Sequence, residues 1–313
     1  MAIELTNFVT HTLNGLQYGF ILFLIASGLT VILGILDVLN LAHGELFALG
    51  AYVAFSVFGY LAGALSDPTG AAELALFVAL TLLAAVVVAA VLIPVGIVIE
   101  SVFLRPLYDR DEVYQLVLTF GLLLVVMDLN KYVWGPTPVG VQSIYSTINR
   151  IPAAEFVGLN FPTYKLLIIA VGAAVVVGLF WFFDRTKTGR IIRATAIDRE
   201  MATAIGASPD RTFTLVFALG AFLAGFAGAI ALPQSTASLE MGANPLVLSF
   251  VVIVIGGLGS LRGAFVGALL VGVLSRWAIW QYPAAELAAP FAIMAVVLLV
   301  KPEGLFGTWG ETA

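Results

Sequence analysis

Apolar stretches about as long as a membrane crossing fill most of this chain, with short polar segments between them. A bilayer-spanning helix needs about 20 mostly apolar residues, and about nine such stretches can be marked. They are residues 16–36, 46–65, 74–99, 116–134, 164–183, 212–232, 246–258, 264–280 and 284–300. Of the 313 residues, 61% are hydrophobic and 11% charged, whereas about a quarter are charged in soluble domains. The sequence predicts an all-α, polytopic transmembrane helical bundle of about 8–10 spans, forming one transmembrane domain over residues 1–313.

The polar segment at residues 185–211 is strongly basic. Its basic residues are Arg185, Lys187, Arg190, Arg193, Arg199 and Arg211. Because basic residues beside a span resist translocation, we expect this loop in the cytoplasm of a multi-pass cell-membrane protein. An odd number of spans then places the N-terminus outside and the C-terminus inside.

Within this basic loop, the residues predict a short helix. Thr195 followed three residues later by Asp198 has the form of a capping box, and Gly206 is the residue type that ends a helix. Ser208 and Pro209 are typical of the start of the next span. Apolar residues recur on one side of the predicted helix, namely Ile197, Met201, Ala204 and Ile205. Such a face belongs either to a solvated connector resting on the bundle or to a helix that docks on a cytoplasmic partner.

Two further stretches interrupt the apolar pattern. Asp37, Asn40, His43 and Glu45 crowd the segment between the first two spans, which is either an ordinary cytoplasmic turn or a helix break that dips into the membrane. The short stretch 246–258 runs into Gly256, Gly257, Gly259 and Ser260, which indicates a broken or re-entrant helix or simple glycine packing. Each stretch precedes glycines spaced along a helix, Gly44 with Gly50 and Gly263 with Gly267. Discontinuous helices in two matching halves are typical of transport proteins.

Residue types and motifs that are absent from the sequence argue against several classes of function. The chain has no cysteines and only two histidines, so we expect neither a disulfide nor a metal site. The net charge of -5 argues against a nucleic-acid partner. The sequence has no P-loop, no His-Glu-x-x-His and no Gly-x-Ser-x-Gly, so we expect neither an enzyme nor a nucleotide site on this chain. The loop 134–161 is too long for a tight turn and is interpreted as a disordered connector or as a lid.

Five motifs follow one another along the chain. They are Asn40-Leu-Ala-His-Gly-Glu45, Gly189-Arg-Ile-Ile-Arg-Ala-Thr-Ala-Ile-Asp198, Glu200-Met-Ala-Thr-Ala-Ile-Gly206, Val254-Ile-Gly-Gly-Leu-Gly-Ser260 and Lys301-Pro-Glu-Gly-Leu-Phe-Gly307. In this order they resemble the permease subunits of branched-chain amino acid ABC transporters. The resemblance implies that Glu200, Ala202 and Gly206 belong to the loop that such permeases seat in their ATPases. The usual loop motif is Glu-Ala-Ala with a Gly after three further residues, and here Met201 replaces the middle residue.

The resemblance also implies the partners and the energy source. It implies two ATP-binding cassette ATPase subunits, a second related or identical permease, an extracytoplasmic substrate-binding protein and membrane lipid, with ATP bound on the partner subunits and no cofactor on this chain. From the resemblance we expect ATP-driven uptake of branched-chain or related amino acids by alternating access. The residues expected to couple it to the ATPases are Thr195, Ile197, Asp198, Glu200, Met201, Ala202 and Gly206. The residues expected to line the path are Asn40, His43, Glu45, Gly256, Gly257, Gly259 and Ser260. The alternatives are a permease of the same group for urea or short amides and an ATP-independent channel or secondary carrier.

Overall fold

The computed structural model of the protein describes residues 2–64, 68, 70–151, 153, 160–204 and 206–307. Its helices, in chain order, are α1 (Ala2–Leu36), α2 (His43–Ala64), α3 (Ala71–Val98), α4 (Glu112–Trp134), α5 (Gln142–Ile148), α6 (Thr163–Arg185), α7 (Lys187–Ile197), α8 (Arg199–Ala204), α9 (Pro209–Ala231), α10 (Ala243–Gly256), α11 (Leu261–Gln281) and α12 (Ala288–Val300). The described chain contains one isolated β-bridge and no strand.

Seven of these helices are long and apolar enough to cross a membrane. They are α1, α2, α3, α4, α6, α9 and α11, while α10 and α12 are apolar but shorter. The prediction of a polytopic helical bundle is confirmed. Two ends of the bundle are named here: the loop end, which carries α7 and α8, and the vestibule end, where α6 begins at Thr163.

Helix α1 is the buried centre of the bundle, and it is much longer than the predicted span 16–36. About half of the residues before Leu16 are polar, and two of them satisfy their side chains within the helix: the Thr12 hydroxyl donates to Phe8 O at 2.7 Å and the Asn14 amide to Thr10 O at 3.0 Å. The helix packs closely on α11, since a Cβ on Gly19 would lie 2.9 Å from Ala268 O. Small residues permit this approach of two backbones, as is usual between membrane helices.

The chain breaks between α1 and α2 and turns back into the bundle. Asp37 has a positive φ of 58°, and α2 begins at His43. The His43 Nε2 donates to Ile25 O at 3.0 Å. Because Ile25 lies about eleven residues before the end of α1, α2 starts roughly 16 Å inside the bundle, measured along α1. Of the two interpretations of this segment, the structure has the break that dips inward.

A second break precedes α10 and comes from the opposite end. After α9 the chain passes through 235–242, where Val139 and Ala237 exchange backbone hydrogen bonds of 3.0 and 2.7 Å. Gly242 then meets Gly44 backbone to backbone, next to Leu246. The N-termini of α2 and α10 therefore converge inside the bundle, one reached from each end.

Of the interpretations of the stretch 246–258, the structure has the broken helix, which is α10. The break lies before α10 rather than after it, and residues 257–260 form a tight turn between α10 and α11. Gly257 and Gly259 have φ of 98° and 75°, values that favour glycine, and the Ser260 hydroxyl caps α11 by accepting from Gly263 N at 3.1 Å. Phe306 N donates to Gly256 O at 2.9 Å, so the C-terminal motif covers the turn.

The long loop 134–161 is ordered where it is described. It contains α5, whose Ile144 and Ile148 are buried in the bundle. Residues 152 and 154–159 lie outside the described part of the chain. The expectation of a disordered connector is therefore wrong for α5.

One buried acid, two residues after the end of α3, ties this part of the chain to α9 at the loop end. Glu100 is fully buried, and it accepts from the Arg105 guanidinium at 3.0 and 3.2 Å, from the Tyr108 hydroxyl at 3.1 Å and from the Thr214 hydroxyl at 2.7 Å. Removing one partner of a buried ion pair leaves the other charge uncompensated. The tie is therefore expected to stabilise the fold.

Replacing Glu100 with alanine is expected to lower the free energy of unfolding by about 2–3 kcal/mol, below the full cost of breaking a buried pair because the Arg105 side chain is 37% exposed. The measurement is thermal unfolding of the purified protein in detergent. Glu112→Gln, at an exposed acid in the first turn of α4, is the control and should leave the unfolding midpoint unchanged. Equal midpoints for Glu100→Ala and the parent would show that the tie contributes nothing.

Candidate functional site

The basic loop folds into two helices rather than the single predicted one. Thr195 does not cap a helix: it lies inside α7, fully buried, and its hydroxyl donates to Ile191 O at 2.9 Å. Asp198 is the residue at the junction. Its backbone NH bonds to Ala194 O and ends α7, and its carboxylate accepts from Met201 N at 2.8 Å and begins α8. Helix propensity continues through this stretch, but the short Asp198 side chain caps α8 and so favours the break.

The end of α8 follows the prediction for Gly206. Gly206 has φ 90°, its NH bonds to Thr203 O, and Ala207 NH bonds to Ala202 O, which together form a Schellman motif. Ser208 precedes Pro209 at the start of α9, also as predicted, although its side chain makes no capping bond. Ile205, which was predicted to lie on the apolar side of this helix, is outside the described residues.

The surface of α7 and α8 carries exposed apolar side chains. Ile197 is 87% exposed and Met201 62% exposed, whereas Ala202 is buried against the bundle. Glu200 is exposed beside Met201. Ala204 is exposed as well, so no described member of the predicted apolar face rests on the bundle. Ile197 and Met201 present an apolar surface, called here the docking patch.

Arg199 connects this loop to the core of the bundle. Its guanidinium donates to Ile35 O at 3.1 Å, in the last turn of α1, and lies 5.0 Å from the ring centroid of Phe213 on α9. A planar guanidinium serves both contacts at once, by hydrogen bonding and by stacking. Arg199 therefore joins α8 to the end of α1.

The predicted path residues of the first break are all buried. Asn40 Oδ1 accepts from Ala42 N at 3.1 Å and so shapes the turn before α2. Asn40 and His43 are fully buried and Glu45 is 3% exposed. Among the described residues, the Glu45 Oε2 and the His43 Nδ1 have no hydrogen-bond partner. Such groups are costly inside a membrane protein and commonly mark functional positions.

A large cavity opens at the vestibule end. Its volume is about 1230 Å³, above the roughly 300–1,000 Å³ of common ligand pockets. One face of α1 lines it from the mouth inward, through Asn14, Gln17, Tyr18, Ile21, Leu22 and Ile25. This face is polar near the mouth and apolar at depth. The cavity, called here the vestibule, therefore has a polar wall and an apolar floor.

The predicted path residues do not line the vestibule, but some lie just beneath it. His43 bonds to the carbonyl of Ile25, which lines the floor, and Gly44 meets Gly242 beside the lining residue Met241. Gly259 and Ser260 line a separate cavity of about 280 Å³ at the loop end. The two sets of predicted path residues thus occupy different depths of the bundle, and their role in the path stays a prediction.

Sequence reasoning missed the charged residues of the vestibule, Lys165, Glu240 and Arg276. A signal for Arg276 was present, because it falls inside the predicted span 264–280, and an ionisable residue within a span usually marks a functional site. Lys165 is only the second residue of the predicted span 164–183, and Glu240 lies between two predicted spans, so both have the positions of ordinary span-end or loop residues. Only the fold brings these three side chains to one cavity.

Known proteins resemble this chain over nearly its whole length. The high-affinity branched-chain amino acid transport system permease protein LivH of Salmonella typhimurium is 29% identical over 311 residues, covering 98% of each chain. The corresponding protein BraD of Pseudomonas aeruginosa is 28% identical over 308 residues, covering 97% of each chain. The permease protein LivM of Salmonella typhimurium is 24% identical over 304 residues, covering 90% of this chain and 67% of LivM. No solved protein structure matches this chain.

The family described as "Branched-chain amino acid transport system / permease component" matches residues 11–300. That range includes both helix breaks, the vestibule and the whole of α7 and α8. The motif resemblance is therefore confirmed, and the chain belongs to the family of branched-chain amino acid transport permeases.

Proposed function

We propose that this protein is a transmembrane permease subunit of an ABC importer that takes up branched-chain amino acids by alternating access. Family membership over residues 11–300 is the observation that carries the proposal. The paired breaks support it, because discontinuous helices whose N-termini meet inside a bundle are typical of transport pathways. ATP is bound and hydrolysed by partner subunits, and this chain supplies the path.

The docking patch is the proposed contact with the ATPases. Ile197 and Met201 supply exposed apolar surface, Glu200 supplies a charge beside it, and the buried Ala202 and the Gly206 turn hold α8 in place. Thr195 and Asp198 fix where α7 ends and α8 begins. Amphipathic helices that enter a groove use apolar anchors of this kind.

The proposed transmission passes through Arg199 and α1. A shift of α8 acts on Ile35, and α1 runs without interruption from there to the face that lines the vestibule. Because the His43 imidazole bonds to α1 at Ile25, the start of α2 moves with it. This chain of contacts links ATPase closure to the floor of the vestibule.

The proposed assembly contains two ATPases, a second related permease and a substrate-binding protein on the side of the vestibule. The basic loop is proposed to face the cytoplasm, with the N-terminus outside and the C-terminus inside. LivM, which is similar to this chain, is the kind of relative with which it would pair. The vestibule end then faces the binding protein.

The test is uptake by the reconstituted assembly. The complex would be purified through a tag on this chain and placed in liposomes with the binding protein outside and ATP inside. We expect accumulation of radiolabelled leucine or valine that stops when ADP replaces ATP. Uptake of urea or acetamide in preference to leucine would show that the proposed substrate class is wrong. ATP-independent flux through this chain alone would favour a channel or secondary carrier.

A further inference from the structure

We propose that the vestibule is itself a binding site for a zwitterionic amino acid, in which Lys165 and Arg276 hold the carboxylate, Glu240 faces the ammonium group and the aliphatic side chain rests on the apolar floor. The inference rests on the proposed function and adds a recognition site on the permease itself. It predicts a permease that distinguishes amino acids from neutral amides.

The two cations of the vestibule are close together and lack acidic partners. Within the described chain Lys165 Nζ donates to Asn14 Oδ1, at 2.6 Å, and Arg276 lies 4.7 Å from the ring centroid of Tyr18. Since Asn14 and Tyr18 are one turn apart on α1, the two cations lie beside the same face of that helix and line the same cavity. Neither side chain is in an ion pair within the described chain. Like charges close together at a partly buried site favour binding of an anion between them.

Two acids lie near this positive region without forming an ion pair to either cation in the described part of the chain. Glu240 is the acid that lines the vestibule, and it lies on the segment 235–242, next to Met241 at the floor. Glu286 lines a small neighbouring cavity with Arg276 and Tyr18, without an ion pair to Arg276. The cations surround the outer turns of α1, and Glu240 is carried by a different segment, so the site offers both signs of charge.

An unpartnered amide adds to the polar wall. Gln17 is 6% exposed, it lines the vestibule one turn from Asn14, and its Nε2 has no hydrogen-bond partner among the described residues. A buried donor without a partner is costly, and a carboxylate or another acceptor removes that cost. Its position beside the Lys165 contact is consistent with a carboxylate site.

The floor suits a branched aliphatic side chain. Ile21, Ile25 and Phe47 line it, and all three are almost completely buried within the bundle. Burial of each methylene contributes about 0.8 kcal/mol in transfer from water, which gives preference to larger aliphatic groups. Polar recognition near the mouth and apolar contact at depth match the two parts of an amino acid such as leucine.

The experiment labels the complex with photo-leucine, an amino acid that carries a diazirine in its side chain, without the binding protein. Labelled peptides should contain Ile21, Ile25, Phe47 or Met241. Leucine should compete for labelling. Leucinamide, which lacks the carboxylate, and 4-methylpentanoate, which lacks the ammonium group, should compete roughly ten- to a hundredfold more weakly.

Variants test the assignment of each charge. Lys165→Met and Arg276→Met should weaken competition by leucine about tenfold or more and remove its advantage over leucinamide. Glu240→Gln should remove the advantage of leucine over 4-methylpentanoate. Arg276→Lys keeps the charge and should retain most of the competition, which shows that the fold is intact. Lys131→Met, at an exposed lysine of α4 outside the vestibule, is the matched control and should behave as the parent.

Two results would overturn the site while leaving the proposed function in place. One is equal competition by leucine and leucinamide in a complex that still takes up leucine with ATP. The other is unchanged labelling in the Lys165 and Arg276 variants with loss of stimulation by the binding protein, which would assign these charges to docking of that protein. A complex that takes up no branched-chain amino acid would instead contradict the proposed function.

Discussion

Replacing Gly50 with leucine is expected to prevent the protein from accumulating in folded form. A Cβ at this position of α2 would lie 2.5 Å from both the Cα and the carbonyl oxygen of Gly225 on α9. Backbone atoms cannot rotate out of the way as a side chain does, so the helices must separate. Overpacking usually costs about 1–3 kcal/mol, and a leucine forced between two backbones exceeds that range. The measurement is the yield of monodisperse protein in detergent.

The matched control lies on the same helix. Gly59 has open space around it, with nothing within 4 Å of an added Cβ. Alanine is favoured over glycine in a helix by about 1 kcal/mol, so Gly59→Ala should be neutral or slightly stabilising while Gly50→Ala destabilises. A loss of 1–2 kcal/mol commonly changes abundance several-fold. Similar yields for Gly50→Ala and Gly59→Ala would contradict the close crossing of α2 and α9.

The sequence predicted the parts of this fold that depend on local pattern. The apolar stretches correspond to the helices because hydrophobic length directly determines where a chain can cross a membrane. Gly206 ends α8 as expected because a left-handed residue in a Schellman motif is a local requirement. The family motifs were also sufficient for the recognition, since each is a short run of neighbouring residues.

The missed features depend on contacts between distant residues. The segment 235–242 has the composition of an ordinary surface turn, and its depth follows from the meeting of Gly242 with Gly44 and from the bridge between Ala237 and Val139. Thr195 and Asp198 matched a capping box, but packing of α7 on the bundle buried Thr195 and left Asp198 to cap α8. Local spacing alone cannot decide between two such caps.

The docking patch carries the second large expected effect. Replacing Ile197 and Met201 together with aspartate should reduce ATP-driven leucine uptake at least tenfold, since loss of apolar anchors at an interface commonly costs 2 kcal/mol or more. The two side chains are 87% and 62% exposed, so the change removes little packing within this chain. Uptake in liposomes and the amount of ATPase that copurifies are the two measurements. Both should fall while the yield and unfolding midpoint of the permease remain unchanged.

Ile191→Asp is the control for the docking patch, because it introduces an aspartate at another exposed apolar position of α7. Ile191 is 42% exposed and lies six residues before Ile197, which places it about 120° away around the helix. It should leave ATPase copurification near the parental value. If the Ile197→Asp, Met201→Asp variant kept parental leucine uptake and parental ATPase copurification, the ATPases would bind another surface of the permease. Since Arg199 joins α8 to α1 at Ile35, loss of uptake with ATPase still bound would instead locate the defect in transmission through that contact.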